Sequence, residues 1–543
     1  MKGVRRAAGK LLLSLVVAHG LASPVAYAQG NDRSAPTGGR SALMGNTGIA
    51  FGSGGAAAFM NPATVVGIRD QAIAFSVNFL DFNNTHTSNW HQPGTVDASK
   101  FGPVNLGGTD ISTAGFNALP STLCLFFTLA GPTGHDEVSL FARGRQKLAF
   151  CLGTLESRSF SLPAVSFLGK TSVGTTSQAQ SVAESWSRVQ GGPPYSFALT
   201  DRLALGLSLH VAATSDTFSL DGASITSEAG GGAVQTSLES GGHGQAFDMT
   251  AIVGATYRFG AVTVGLSGQL VPVHLFGNFT GVLQNSYAAV TTHDSALTVG
   301  SGSFWASPPI RVGVGVGIKQ RRLTAEVDAS FDVPWGSAAS TSLTGSTTTL
   351  TATGTAMAPL PASYTVPSHP VFNAAIGGEY FVAQSFSLLS GFSTNFSSVP
   401  GLAPSMTLGN LVPERMSWVH TSLGLGSYGS AGSFLIGFVL GYGWGQAIAL
   451  NPYVLPNNWS VVDTWAYDAL FVLAGAINVG SMSRAVQEVQ SVMKTGNPDA
   501  FIKTPEKTPP ASADAGQAPP DIPKPEPEPE KAPGGTPLAP DKP

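Results

Sequence analysis

Several segments of the chain alternate bulky apolar residues with small or polar ones at period 2, the mark of a strand with one apolar face. In residues 71–82, Ile73, Phe75, Val77 and Phe79 share one face, and Ala72, Ala74, Ser76 and Asn78 share the other. Residues 203–211 set Leu203, Leu205, Leu207, Leu209 and Val211 against Ala, Gly, Ser and His. Residues 310–318 set Ile310, Val312, Val314, Val316 and Ile318 against Arg311 and three glycines. Residues 433–445 carry Phe434, Ile436, Phe438, Leu440, Tyr442 and Trp444 on one face and mostly glycine on the other. Read along the whole chain, the pattern predicts about 14 strands, near 71–82, 117–129, 146–155, 177–199, 203–218, 244–258, 261–277, 308–318, 321–334, 370–382, 385–396, 417–428, 432–446 and 464–480. Pro163 and the run Gly191-Gly192-Pro193-Pro194 predict kinks or irregular strands in the region 130–200.

The connections alternate in length. Tight turns are expected near Thr200-Asp201-Arg202, Phe259-Gly260, Lys319-Gln320-Arg321, Ala383-Gln384 and Gly429-Ser430-Ala431. Long polar loops are expected at about 83–116, 219–243, 278–307, 335–369, 397–416 and 447–463. A soluble sandwich also alternates. Charges confined to one strand face, aromatic ends such as Tyr442 and Trp444, and the rhythm of short turns and long loops instead predict an all-β transmembrane antiparallel barrel over residues 69–482. Open sheet edges are not tolerated in hydrocarbon, so such strands must close on themselves.

Composition agrees. Only 11% of the residues are charged, against roughly 25% in ordinary soluble proteins, and 66 are glycine. No stretch approaches the ~20 apolar residues of a membrane-spanning helix. The net charge of −4 gives no reason to expect a nucleic-acid partner. Residues 1–28 read as an export signal: Lys2, Arg5, Arg6 and Lys10, then an apolar run over 11–18, then Ala26-Tyr27-Ala28 as a small-x-small cleavage site. The expected location is a bacterial outer membrane.

Cys124 and Cys151 flank an expected turn, so a hairpin can set them opposite each other as a disulfide in an oxidising compartment. The alternative is two small residues facing membrane or core. No Cys/His cluster has metal-ligand spacing, so no metal is expected. Residues 29–68, rich in Gly and Ala, are too poor in bulky residues to form a domain of their own. Beyond the last strand, residues 483–494 can form a short amphipathic helix. From Lys503 on, 13 of 41 residues are proline, an extended, disordered tail. Residues 483–543 are then either a tether to peptidoglycan or a periplasmic partner, or a solvated extension.

The run Gly39-Arg40-Ser41-Ala42-Leu43-Met44-Gly45-Asn46-Thr47-Gly48-Ile49-Ala50, followed by Ala56-Ala57-Ala58-Phe59-Met60-Asn61-Pro62-Ala63, resembles the amino-terminal plug of FadL-type outer-membrane transporters. In that family a glycine-rich stretch leads to an Asn-Pro-Ala motif just before the first strand. Later segments are similar too, among them 309–315 running into 323–328, and 372–380 running into 389–393. The resemblance covers about residues 39–480 and implies a 14-stranded barrel with residues 29–68 as a hatch in the lumen. It implies passive passage of long-chain fatty acids or other hydrophobic molecules, with hatch movement and a sideways exit at a kinked strand. It implies no ATP or redox cofactor, no enzymatic activity, a monomer, and outer-membrane lipids as neighbours.

By the same resemblance, Asn61, Pro62 and Ala63 are the hatch residues. Pro62 stiffens the chain, Asn61 can bond backbone groups, and Ala63 permits close packing. Arg311, Arg322, Glu326, Asp328 and Asp332 are expected to face the lumen on two adjacent strands. Arg311 and Arg322 are then candidate partners for a ligand carboxylate, or members of a structural ion-pair network. His210 falls on a polar face and reads as a lumen residue. A general porin and a non-transport surface or scaffold barrel remain as alternatives. The chain also departs from the family, which usually ends at its last strand, whereas this one continues for about 60 residues.

Overall fold

The computed structural model describes residues 36–478, apart from internal stretches of which 89–104, 131–141 and 403–414 are the longest. The expected export signal (1–28), the start of the hatch (29–35) and the whole tail (483–543), with its expected helix, lie outside the described residues.

Fourteen antiparallel strands follow one another around a single closed sheet. They are β1 (Ala72–Thr87), β2 (Ile111–Ala130), β3 (Gln146–Thr171), β4 (Gly174–Gly192, continued by Pro194–Ala198), β5 (Leu203–Glu228) and β6 (Ala233–Phe259). Then come β7 (Val262–Gln269 and Val273–Ala288), β8 (His293–Trp305 and Ile310–Lys319), β9 (Leu323–Val333 and Ala339–Thr351) and β10 (Gly354–Val366 and Val371–Ala383). The last four are β11 (Phe386–Asn395), β12 (Arg415–Tyr428), β13 (Gly432–Asn451) and β14 (Asn458–Asn478). The ladder from β14 to β1, running from Ala72–Asn478 to Thr87–Thr464, closes the barrel.

The alternation sorts side chains as expected. On β5, Leu205, Leu207, Leu209 and Val211 are exposed outside, while Ala204, Ser208, His210 and Ala212 are buried inside. Val312, Val314 and Val316 of β8 and Phe434, Phe438 and Leu440 of β13 continue the outer band. A soluble protein does not carry a continuous apolar belt on its outside. In hydrocarbon it is the favoured face, and the closed ladder pairs the backbone polar groups there.

The two rims differ. At one rim the strands join in tight turns; Gly260 takes φ +59° between β6 and β7, a conformation that strongly favours glycine. At the other rim, most of the segments expected as long loops are strand. Residues 219–228 and 233–243 form the paired ends of β5 and β6, 278–288 and 293–305 those of β7 and β8, and 339–351 and 354–366 those of β9 and β10. β5 and β6 have 26 and 27 residues, where about 9–11 cross a bilayer core. The hairpins therefore stand well above it. They lack an apolar face because neither side meets lipid, and their Ser, Thr and Gly residues read as loop. Prolines mark the change of level: Pro193, Pro272, Pro308, Pro309, Pro334 and Pro370 all lie where a strand is interrupted.

Residues 36–68 lie within the barrel as two short helices, α1 (Gly39–Leu43) and α2 (Ala56–Met60), and a 3-10 turn over Pro62–Gly67. They are buried almost throughout. Having few bulky side chains of their own, they take the barrel wall as their core.

Candidate functional site

The hatch is held by backbone contact and buried polar anchors. Inward positions of the wall are glycine where hatch backbone touches them. A Cβ at Gly265 would lie 2.0 Å from the Ile49 carbonyl oxygen, one at Gly377 2.0 Å from that of Met44, and one at Gly391 2.1 Å from the Gly45 nitrogen. The alternation of valine and glycine in β8 is thus two surfaces in one strand, valine for lipid and glycine for hatch.

Asn61, wholly buried, joins three parts. Its Nδ2 donates to the Ile49 carbonyl (2.6 Å), to the Ala255 carbonyl of β6 (3.2 Å) and to Thr256 Oγ1 (3.3 Å). Its Oδ1 accepts from the Ala63 amide at 3.1 Å, capping the 3-10 turn, with Pro62 at the first position, where no N–H is needed. Ala63 fits against Gly206 of β5, where a Cβ would meet the Ala63 nitrogen at 2.3 Å. The three motif residues therefore form one wedge against β5 and β6.

The carboxylates of β9 serve the hatch. Asp328 Oδ2 accepts from the amides of Gly48 (2.8 Å) and Ile49 (3.0 Å). Glu326 Oε1 accepts from Ala50 (2.6 Å) and Phe51 (3.2 Å). At the tight-turn rim, Arg40 Nε of α1 meets Glu379 Oε2 of β10 at 2.8 Å, and Ser387 and Tyr428 donate to the other carboxylate oxygen.

The two arginines expected to receive a ligand carboxylate do not come together. Arg311 on β8 makes a two-bond contact with Asp332 of β9, the second at 2.9 Å from Nη2 to Oδ2. Its carboxylate partner is already within the wall. Arg322 is not on a strand face: it lies in the turn before β9, exposed, at the opposite end of the β8–β9 pair from Arg311. Arg322 falls beyond the end of the strand, where apolar–polar alternation no longer sets which way a side chain faces. Cys124 and Cys151 face each other across β2 and β3, joined as a disulfide, and both are buried among Ala57, Ala58 and Phe59 of the hatch.

Among the described residues the wall is incomplete beside that disulfide. The β2–β3 ladder runs only from Ala130–Gln146 to Thr122–Gly153. Beyond it β2 stays paired with β1 out to Ile111–Thr87, and β3 stays paired with β4 out to Thr171–Gly174. Among the described residues, the facing edge of β3 meets strand again only at Gly169 and Lys170, opposite the short segment Asn105–Leu106. At the foot of this gap β3 bends inward. Gly153, Thr154, Leu155 and Glu156 are buried in succession, which an alternating wall strand cannot do, and the register with β4 slips between Thr154 and Glu156. Phe59 of the hatch fills the bend: a Cβ at Gly153 would lie 2.8 Å from its ring. Residue 163, a proline, sits in a second slip between Leu162 and Val165.

Above the hatch lies an apolar cap. Trp186, Phe279, Phe304, Leu343, Val399 and Leu402 form one buried cluster. The interruption of β8 at residues 306–309 folds inward beneath it, held by Arg188 Nη2 to the Ala306 carbonyl (3.0 Å), Ser307 Oγ to Asp248 Oδ1 (2.8 Å) and Gln269 Nε2 to the Pro309 carbonyl (2.8 Å). Arg188 also pairs with Glu156 at 3.1 Å. Two cavities flank the hatch. One of about 80 Å³ touches Met60, Arg311 and Asp328, and one of about 500 Å³ lies at the tight-turn rim against Arg40, Phe51 and Ile68.

No protein-family model matches the chain, and no curated protein matches it. Solved structures do align. This chain is similar to FadL-type structures. A Pseudomonas aeruginosa FadL homologue is 12% identical over 82% of this chain and 99% of its own, with a TM-score of 0.44. The Pseudomonas putida toluene transporter TodX is 14% identical over 84% of this chain and 100% of its own, with a TM-score of 0.43. The Ralstonia pickettii toluene transporter TbuX is 15% identical over 81% and 98%, with a TM-score of 0.40.

Glu326 and Asp328 do hold the hatch, in line with the structural alternative for the lumen charges, though by accepting from hatch amides; the partnership of Arg40 with Glu379 and the packing of Phe59 against β3 were not expected. The glycine-for-polar alternation in β8 was the available signal for a closely applied lumen segment. Nothing local marks Arg40 and Glu379, which lie 339 residues apart in the chain.

Proposed function

We propose that this protein is an outer-membrane passive transporter for hydrophobic molecules, with the hatch as its gate and a sideways exit through the wall between β2 and β3. The observation that carries the reading is the gap in the β2–β3 ladder, with its foot occupied by the hatch residue Phe59. A water-filled pore offers a hydrophobic solute nothing, because each step would expose apolar surface. Here the solute meets the apolar cap first, then the lumen above the hatch, then Phe59 and Leu155 at the bend in β3. From there the foot of the gap, beside the outward-facing Leu123 and Leu152 at the upper edge of the apolar belt, gives onto hydrocarbon. Asn61, Pro62 and Ala63 set the resting position of the hatch by wedging it against β5 and β6, and small shifts of that wedge move Phe59. Long-chain fatty acids, alkyl chains and aromatic hydrocarbons all fit an apolar route of this kind. The relatives described as toluene transporters are consistent with that range.

Photo-crosslinking tests the route. An alkyl chain carrying a terminal diazirine, added to the purified barrel in detergent, is expected to label peptides containing Phe279 or Phe304, Phe59 and Leu155. Labelling confined to the outer belt residues of β5, β8 and β13 would overturn the proposal.

A further inference from the structure

Surface charge is divided between the two rims. Among the described residues, the exposed Lys and Arg side chains are Arg143, Arg202, Lys319, Arg321 and Arg322, and all of them lie at the tight-turn rim. Among the same residues, Asp201 is the one exposed acid at this rim, and its Oδ1 accepts from the Arg143 amide at 2.9 Å. The other exposed acids, Asp221, Glu239 and Asp463, stand at the hairpin rim. The cations are also one-sided. They cluster between the β2–β3 and β8–β9 connections, whereas the turns Ala383-Gln384-Ser385 and Gly429-Ser430-Ala431 carry no charge.

Two of these arginines sit in the same local arrangement. Arg202 precedes Leu203, which faces Tyr257 across β5 and β6, and the Arg202 carbonyl accepts from the amide of Arg258, the residue after that tyrosine, at 2.8 Å. Arg322 precedes Leu323, which faces Tyr380 across β9 and β10, and the Arg322 carbonyl accepts from the amide of Phe381, again the residue after the tyrosine, at 2.8 Å. Tyr257, Leu323 and Tyr380 are exposed on the outer face, and the exposed Phe259 ring extends the first pair, its centroid 4.4 Å from that of Tyr257. Aromatic residues at the end of an apolar belt mark the level of lipid headgroups. One residue of strand is about 3.3 Å, so the backbone of each arginine lies about that far beyond its tyrosine, at the depth of a lipid phosphate. A guanidinium pairs with a phosphate through two N–H donors. A soluble anion has no use for the Leu–Tyr pair, and a zwitterionic lipid sets its own cation against the arginine. Tight turns face the periplasm in barrels of this kind. We propose that Arg202 with Leu203 and Tyr257, and Arg322 with Leu323 and Tyr380, each bind an anionic phospholipid of the periplasmic leaflet, its acyl chain on the Leu–Tyr pair and its phosphate on the arginine. Lys319 and Arg321 strengthen the field at the second position. The inference needs only a barrel in a membrane and stands apart from the transport route.

Native mass spectrometry of the full chain in a neutral maltoside detergent tests it, with phosphatidylglycerol and phosphatidylcholine of the same acyl chains titrated separately. One basic side chain beside an anionic lipid is worth about fivefold in affinity, so phosphatidylglycerol is expected to bind about fivefold more tightly than phosphatidylcholine. Arg202→Gln with Arg322→Gln is expected to lower phosphatidylglycerol affinity about fivefold and to leave phosphatidylcholine unchanged. Both side chains are exposed in turns, so folding is expected to be unaffected, as checked by heat-modifiable gel mobility. Arg143 precedes Gly144 rather than a Leu–Tyr pair, and Arg143→Gln is expected to change neither affinity. Glycerophosphoglycerol, the same head without acyl chains, is expected not to displace the lipid at equal concentration. Equal affinity for the two lipids, an unchanged preference in the folded double variant, an equal loss in Arg143→Gln, or displacement by the free head overturns the inference.

Discussion

Replacing Asn61 with alanine is the sharpest perturbation of the hatch. The side chain is wholly buried and spans hatch and wall, with donor bonds to Ile49, Ala255 and Thr256 and an acceptor bond from Ala63. Losing the cap on the 3-10 turn costs about 0.5–2 kcal/mol. Leaving the Ile49 carbonyl without its donor in a buried site adds about 1–3 kcal/mol. The barrel strands keep their own ladders, so the cost falls on the docked hatch rather than on the fold. A total of about 2–4 kcal/mol corresponds to an undocked population about 30- to 1000-fold larger. Amide hydrogen exchange by mass spectrometry reads this directly. Peptides covering 48–51 and 61–66 are expected to exchange faster by that factor, while peptides within β5 and β6 do not change. Exchange within about threefold of the unaltered protein in the hatch peptides would refute the assignment of Asn61 as the anchor.

Other outcomes follow from the same contacts. The double variant Asn61→Ala, Pro62→Ala is expected to impair uptake of a hydrophobic probe while the barrel still inserts, as judged by uptake rate and heat-modifiable gel mobility. Gly315→Val places a branched side chain where a Cβ alone would lie 2.8 Å from Ile49 Cβ and 2.9 Å from the Ala50 nitrogen, so it is expected to displace the hatch and give ion conductance in planar bilayers. Gly313→Ala meets only the mobile end of Ile49 and is expected to stay closed. Arg311→Gln leaves Asp332 without its cation and is expected to lower the barrel's thermal midpoint, a cost of about 2–4 kcal/mol for a largely buried pair, while the affinity for dodecanoate is unchanged. Cys124→Ser with Cys151→Ser removes a link 27 residues apart in sequence and is expected to lower stability by about 3.5 kcal/mol on loop entropy, read by thermal unfolding.

The sequence showed the barrel because lipid imposes a rule that repeats every second residue. Wherever a strand crosses hydrocarbon, as in β5 with Leu205, Leu207 and Leu209, its outer face must be apolar, and all fourteen crossings were legible. The tall hairpins were not, because residues such as Ser237 and Ser286, or Thr298 and Thr347, hydrogen-bond to one another across strands and carry no such rule. The wall gap was illegible for a different reason. It depends on which edge of β3 lacks a partner, a property of pairing that no residue in 154–168 advertises, although Pro163 and Pro193 did mark irregular places. Asn61, Pro62 and Ala63 were visible as a motif, but their grip depends on Gly206 and Gly254, far away in sequence. Arg322 was misplaced because strand and turn look alike at a boundary where charge is common.

The proposed transporter passes greasy molecules through a lumen that does not conduct ions. Paired measurements test it most directly: the rate at which a radiolabelled long-chain alcohol enters cells that carry the protein in an otherwise intact outer membrane, and the ionic current through the protein purified from those cells in a planar bilayer. Faster entry of the alcohol together with no steady current is the predicted result. A steady ohmic current with no acceleration of alcohol entry would contradict the account.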